Sequence, residues 1–356
     1  MKRKRLHTPR KAGLPPGTLI HVGEIKTAQP SITLIEYDDS GLDEHTFSSV
    51  EASREYTPTR RRLWLNVYGL QNPEILGEIG RRFQLHPLVL EDILNTHQRS
   101  KIEEYDSYLY CVVRLFHAEN GGQEIQSDQI SLVLGEQFVL TFQERPSGAF
   151  HPVRERLKAN HSPLRSHGVD YLAYALLDAV VDSYFGVVDQ VGSAAEALED
   201  DALDHPTPKL LSKLNLVKQD TRMIRRAVWP LREVLSNLLR GETPLFTRDT
   251  RLYLRDVYDH TIHLIESLDA VRDLLGDILD IYMSSISNRL NLEVRILTVL
   301  SMLFMPATLI AGVFGMNFRW MPLLDQPDGF WLAIALMGAL ALAMGLAFWR
   351  RKLLRE

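Results

Sequence analysis

The 356-residue sequence contains a single cysteine, Cys111. An internal disulfide is therefore impossible, and the chain suits a reducing compartment. No P-loop is present, and no glycine-rich fingerprint opens a helix, so nothing supports ATP-driven work. Twelve scattered histidines beside one cysteine form no credible Ser/His/Asp or Cys/His arrangement. No enzymatic activity is expected. A mean hydropathy of -0.11 excludes a protein built mostly of membrane helices. The basic start, MKRKRLHTPRK, has no apolar run behind it and does not read as a secretory signal. It reads as a solvated tail, not as a nucleic-acid signal.

What the average hides is a gradient. Ile296 to Gly315 are twenty residues without a charge, and Phe330 to Trp349 are twenty more. A helix needs about 20 apolar residues to cross a bilayer. Two spans are therefore expected near the end, with a soluble region before them. Charge is as uneven. The first twelve residues hold six bases and no acid, while residues 13–290 carry 28 bases against 41 acids. An acidic surface repels nucleic acid and attracts cations. Arg350, Arg351, Lys352 and Arg355 follow the second run, while the linker from Met316 to Gly329 holds one Arg and two Asp. The positive-inside rule places both termini in the cytoplasm and the linker outside.

To about residue 145 the pattern is mixed α/β. Strands are expected at Thr18–Val22, Ser31–Tyr37, Leu63–Tyr68, Tyr108–Phe116, Ile130–Leu134 and Phe138–Phe142, from their β-branched and aromatic content. Helices opened by proline are expected at Pro73–Phe83 and Pro87–Leu94. Glu119–Gly122 reads as a hairpin turn. Long helices follow at Val169–Leu203 and Pro208–Leu239. No strong breaker then occurs before Pro306, so one helix is expected from Arg248 to Phe314, on the order of 100 Å long. Along it Leu264, Leu268, Val271, Leu275, Ile278 and Tyr282 alternate in steps of four and three. Such a stripe fits a coiled-coil seam or an amphipathic face on its own domain.

Two constellations carry possible chemistry. Asn317 closes the first apolar run in Gly312–Phe318. It suits a helix C-cap, or a ring of side-chain carbonyls about a symmetry axis that holds a hydrated cation. The second is acidic. Asp256, Asp259 and His260 share one helical face, Glu91 and Asp92 sit on a short helix, and Asp178 on a long one. Each group alone reads as a solvated face.

Gly315-Met316-Asn317, with Phe-x-x-Met-Pro after it, resembles the signature of the CorA family of magnesium/cobalt channels. Further segments resemble the family: His86–Asn95, Trp229–Ser236, Tyr253–His260 and Ser284–Arg289. Together they cover the chain from about residue 60 onward. The resemblance implies a homopentameric funnel in the bacterial inner membrane: an α/β cytosolic domain, a long helical stalk and two C-terminal transmembrane helices. Mg²⁺ would be both cargo and regulatory ligand, with Co²⁺ as alternative cargo and Ni²⁺ a further candidate. The partners implied are a second copy of the chain, the lipid bilayer and divalent cations, with no nucleic acid. Gly315, Met316 and Asn317 would form the selectivity filter. Asp280, Ser284, Asn288, Asn291, Val294, Leu297, Thr298, Ser301, Met305, Thr308 and Gly312 would line the pore. Leu297 and Met305 resemble its hydrophobic constriction; by pattern alone Met305 suits packing. Asp92 and Asp256 would form a regulatory ion site between protomers, with Glu91, Asp178, Asp259 and His260 around a second.

The divisions expected are a basic tail over 1–15, the α/β domain over 16–145 and long helices over 146–244. The stalk part of the pore helix covers 245–290 and the first span 291–315. An external loop covers 316–329, the second span 330–349 and a basic tail 350–356. Two departures from the family stand out. Many relatives read Met-Pro-Glu-Leu where this chain has Met321-Pro322-Leu323-Leu324, and an acid is replaced by Arg319. An acidic outer ring is then missing or moved to Asp325 and Asp328. Val294 stands where a longer side chain is common, which would loosen that constriction. The rival readings are a ZntB-like zinc transporter and a membrane-anchored divalent-cation sensor without a pore. The linker's lack of Cys and His weighs against soft-metal handling.

Overall fold

The computed structural model describes residues 13–47, 52–53, 56–119, 124–159, 161–204, 206–241, 243–317, 319, 321–323 and 326–350. The basic start, the tip of the Glu119–Gly122 turn, Phe318, Asp325 and the bases after Arg350 lie outside them. The chain forms two units. One comprises residues up to 199 together with 211–276, and the other comprises 200–210 and 277–356.

The first unit is built on a sheet. Its strands are β1 (Ser31–Tyr37), β2 (Leu42–Phe47), β3 (Arg62–Tyr68), β4 (Lys101–Glu104), β5 (Tyr108–Glu119), β6 (Glu124–Gly135) and β7 (Phe138–Gln143). They run in the order β2-β1-β3-β7-β6-β5-β4, and β3 with β7 is the parallel pair. Helices α1 (Pro73–Arg82) and α2 (Pro87–Leu94) lie in the connection between β3 and β4. Each opens on a proline in its first turn. Asn72 Oδ1 caps α1 by accepting the Glu74 N–H at 2.9 Å. Successive strand side chains face opposite sides, and here both sides are apolar. Leu63, Leu65 and Val67 of β3 join Leu76, Ile79, Val89 and Ile93 of α1 and α2 in one core. The opposite side carries Trp64, whose ring meets Phe150 edge-on at 6.1 Å.

Beyond the sheet come α3 (His151–Lys158), α4 (Pro163–Ser166), α5 (Val169–Asp204), α6 (Pro208–Arg240) and α7 (Arg248–Phe314). α5 is apolar and long enough to cross a membrane, yet most of that stretch is buried. Its Tyr184 is fully buried, contacts Phe116 of β5, and donates its hydroxyl to the Arg114 carbonyl. α5 is therefore a core helix. The start of α7 is pinned in the same unit. Thr247 Oγ1 accepts the Thr250 N–H at 3.3 Å, as an N-cap does. Buried Asp170 Oδ2 accepts from Thr247 N–H, Thr247 Oγ1 and Thr250 Oγ1 at 3.0, 2.8 and 2.7 Å. Hydrogen bonds to a buried charge are the costly ones to remove. Asp170→Ala should cost about 2–3 kcal/mol, seen as a lower melting temperature of the purified protein.

The 4-3-4 stripe of α7 is buried within the single chain, from Leu264 and Leu268 to Ile278 and Tyr282. Val271 lies against Gly192 of α5, 3.8 Å from where a Cβ would stand. Own-chain packing, not an intermolecular seam, accounts for it.

The expected strand at Thr18–Val22 does not form. Only a bridge from Val22 to Asn95 occurs, with Val22 N–H donating to Leu94 O and Thr96 N–H to Val22 O. That segment lies over the end of α2, where no strand edge is on offer. Prolines 15 and 16 and the positive-φ Gly17 and Gly23 interrupt it further. Lys26 then ties it to the sheet through buried Asp128 and Glu144.

In the second unit, α7 continues to Phe314 and α8 spans Gly329–Arg350. The apolar windows of both are almost wholly exposed. A water-soluble protein does not leave such surface bare. Twenty-two residues at 1.5 Å give α8 about 33 Å, enough for a hydrocarbon core of about 30 Å. Trp331 and Trp349 sit exposed near its two ends, the depths favoured by interfacial tryptophan.

Candidate functional site

The expected pore residues all lie on α7, from Asp280 through Ser284, Asn288, Asn291, Val294, Leu297, Thr298, Ser301, Met305 and Thr308 to Gly312, and every one is exposed. With Leu297 or Thr298 taken at one step, spacings of three and four keep them on one face. Ser301, Met305, Thr308 and Gly312 share a groove with Met316. Thr298 Oγ1 donates to the Val294 carbonyl at 2.7 Å, and Thr308 Oγ1 to Phe304 at 2.9 Å. A hydroxyl that spends its proton on the backbone presents only lone pairs outward. These threonines thus offer acceptors, the polarity a cation or its donor-rich water shell does not repel. Pro306 lies inside the helix and has no N–H to donate to the Met302 carbonyl four residues before it.

α7 ends without a left-handed cap. Gly315 N–H donates to Ala311 O at 2.9 Å and Met316 N–H to Val313 O at 3.2 Å. Among the described residues, non-glycine positive φ occurs at Gln84, His161 and Leu323. Asn317 has no such conformation, so the C-cap role does not account for it. Its side chain is exposed just past the helix. A Cβ at Gly315 would stand 3.2 Å from the Ala311 carbonyl oxygen, tighter than ordinary contact.

The acidic residues form two places in the first unit. In one, Asp178 of α5 and His260 of α7 meet, joined by Asp182 one turn along α5. One potential ligand atom from each lies within 4.8 Å of the others. His260 Nδ1 is buried and finds no hydrogen-bond partner among the described residues. Its Nε2 is 3.8 Å from Asp256 Oδ2, and Phe185 packs edge-on to the ring. Burial, then the Asp182 charge, push the Asp178 carboxyl up to about 6. Two carboxylates and an imidazole whose Nδ1 makes no hydrogen bond among the described residues suit a divalent ion, with the nitrogen favouring Co²⁺ over Mg²⁺. Asp259 is exposed and apart from this cluster.

That raised value sets a pH dependence. The folded carboxyl keeps its proton up to about 6, whereas the unfolded one loses it near 3.8. Between those values the folded state binds more protons, so stability falls as pH rises toward 6 and then levels off. Melting temperature in divalent-free buffer should follow that course, and Asp178→Asn should flatten it.

In the other place, Glu91 and Asp92 project from α2. Glu91 Oε2 accepts the Gly17 N–H at 2.6 Å. Asp92 Oδ1 accepts from Gln98 Nε2 at 2.6 Å, and Oδ2 pairs with Lys101 of β4. Asp92 and Asp256, expected as a pair across protomers, do not pair within the chain: Asp92 is held by Gln98 and Lys101, and exposed Asp256 lies beside His260.

The family model described as CorA-like Mg2+ transporter protein matches residues 61–352. The cobalt/magnesium transport protein CorA of Thermotoga maritima is 38% identical over 352 residues, 99% of each chain. The chain belongs to the CorA family. The complete structure of the CorA magnesium transporter from Methanocaldococcus jannaschii matches the fold, with a TM-score of 0.78 at 21% identity, covering 91% of this chain and 98% of that one. The zinc transport protein ZntB of Yersinia pseudotuberculosis is 22% identical over 339 residues, 93% of this chain and 98% of its own. Set on the CorA fold, two residues escaped the sequence reading. Asp182 stands four residues after Asp178, a helical spacing that could have revealed it. Lys101 lies in a four-residue charged strand whose pattern carries no such signal.

Proposed function

We infer that this CorA-family magnesium/cobalt transporter conducts Mg²⁺ passively inward, with Co²⁺ as alternative cargo, through an axial pore of a homopentamer. The exposed polar face of α7, ending at Asn317, carries the reading. Five copies of that face around an axis would line a path with hydroxyls and amides. Neutral oxygens hold a hydrated divalent without trapping it. Mg²⁺ sheds water reluctantly, which suits recognition of the hydrated ion at Asn317. A divalent ion moving inward gains about 4.6 kcal/mol per 100 mV, so no ATP is needed. The bacterial inner membrane, with both termini cytoplasmic, fits the basic residues after α8.

The acids supply feedback. Facing carboxylates of neighbouring protomers repel unless a cation bridges them. Cytosolic Mg²⁺ at Asp92 and Asp256, and at the Asp178–Asp182–His260 cluster, would hold the funnel symmetric and closed. Its loss would let the protomers part and the Leu297 and Met305 rings hydrate. The identity of 38% to a cobalt/magnesium relative against 22% to a zinc one favours Mg²⁺ and Co²⁺ as cargo.

Flux of Mg²⁺, Co²⁺, Ni²⁺ and Zn²⁺ into proteoliposomes, with and without an imposed potential, tests this. Mg²⁺ and Co²⁺ entry that grows with an inside-negative potential is expected. Entry of Zn²⁺ alone would overturn the cargo, and absence of any flux would leave a sensor.

A further inference from the structure

Asp92 is not a vacant carboxylate waiting for an ion. Gln98 holds one oxygen and the Lys101 ammonium the other. Lys101 also pairs with Glu103 Oε1, and its Nζ lies 5.6 Å from the centre of the Tyr110 ring. Glu103 is steadied in turn by the Tyr105 hydroxyl, which donates to Oε2 at 3.1 Å. Glu91, Asp92, Glu103 and Tyr105 line one open recess of about 420 Å³, closed on its sides by Pro16 and Leu88. Asp92 and Glu103 thus share one ammonium, and the two carboxylates keep a negative excess that still draws cations.

We propose that Lys101 is a tethered competitor for the regulatory ion, setting the Mg²⁺ concentration at which Asp92 is captured. This rests on the reading of Asp92 as a regulatory ligand. The ammonium stands against Asp92 Oδ2, where a divalent ion or its water shell would stand. An arriving Mg²⁺ must displace it. Glu103 gives the displaced ammonium a second seat, so the exchange costs one ion pair and strands no charge. The pair is partly exposed, with side-chain exposures of 27% and 23%, so its strength is modest. A modest competitor raises a threshold without blocking the site. The ammonium is also fixed in the chain, so its local concentration is constant while that of cytosolic Mg²⁺ varies.

The test uses the full-length protein in proteoliposomes, with Co²⁺ influx measured at graded Mg²⁺ on the cytosolic face. Lys101→Gln and Lys101→Met should lower the half-inhibiting Mg²⁺ concentration about two- to fivefold. Lys101→Arg, which keeps the charge, should stay near the parent. A merely structural lysine would weaken inhibition when removed, not sharpen it. Asp92→Asn is measured beside them. If Asp92→Asn raises the threshold but both neutral Lys101 variants leave it unchanged or raise it, the competitor role is overturned alone. If Asp92→Asn leaves the threshold unchanged, the regulatory reading of Asp92 itself falls.

Discussion

Asn317→Ala should reduce Mg²⁺ influx into proteoliposomes to the level of protein-free vesicles, while the protein stays folded and oligomeric. The side chain is exposed beyond the last turn of α7 and caps no helix with a left-handed backbone. Stability should therefore change little, because surface substitutions away from caps and cores lie within about 0.5 kcal/mol. The function lost would be disproportionate. In the proposed pentamer one substitution removes five carbonyls from one ring, and a methyl group can accept no hydrogen bond from a hydrated ion. Asn317→Gln keeps the carbonyl but moves it outward by one methylene. It should restore part of the flux and blur discrimination between Mg²⁺ and Co²⁺. Influx through Asn317→Ala equal to the parent would sink the filter assignment.

The second large effect is on inhibition. Asp92→Lys combined with Asp256→Lys should leave the channel conducting at cytosolic Mg²⁺ concentrations that shut the parent. Two unit charges 4 Å apart near a protein surface interact by about 4 kcal/mol. Reversing both acids would turn the proposed cation-bridged interface into a repelling one with nothing to bind a cation. Moving a two-state equilibrium from 1:99 to 99:1 takes about 5.5 kcal/mol, within reach of such a change repeated around a ring. Dose–response curves for Mg²⁺ on the cytosolic face decide it, and inhibition that persists unaltered would remove both residues from the gate.

The features legible in the sequence were those written in periodicity. α7 runs from Arg248 to Phe314 as its unbroken pattern predicts, and α2 from Pro87 to Leu94 as its opening proline predicts. The two spans were legible because nothing else explains twenty uncharged residues. Edge strands were not. β2, Leu42–Phe47, is two-thirds polar, and β4, Lys101–Glu104, is three-quarters charged. Both form because a neighbouring strand offers hydrogen bonds, which a local pattern does not encode. Thr18–Val22 failed in the opposite sense, with strand-like residues and no partner edge. The proposed ion path rests on resemblance, since spacing alone gave Asn317 a cap and Met305 a packing role. The pairing of Asp178 with His260 joins residues 82 positions apart, a distance bridged by tertiary packing and by no motif.

Cys111 has one further consequence. It is buried in β5, and burial pushes its thiol up to about 12. Only the thiolate reacts, so at neutral pH this sulfur is chemically silent. The unmodified chain is therefore its own blank background for thiol chemistry. A cysteine placed at Ser301, Thr308 or Asn288 would be the one reactive sulfur in its protomer. Charged and neutral alkylating reagents, applied from either face, would then map how far water reaches along α7 in each ionic condition.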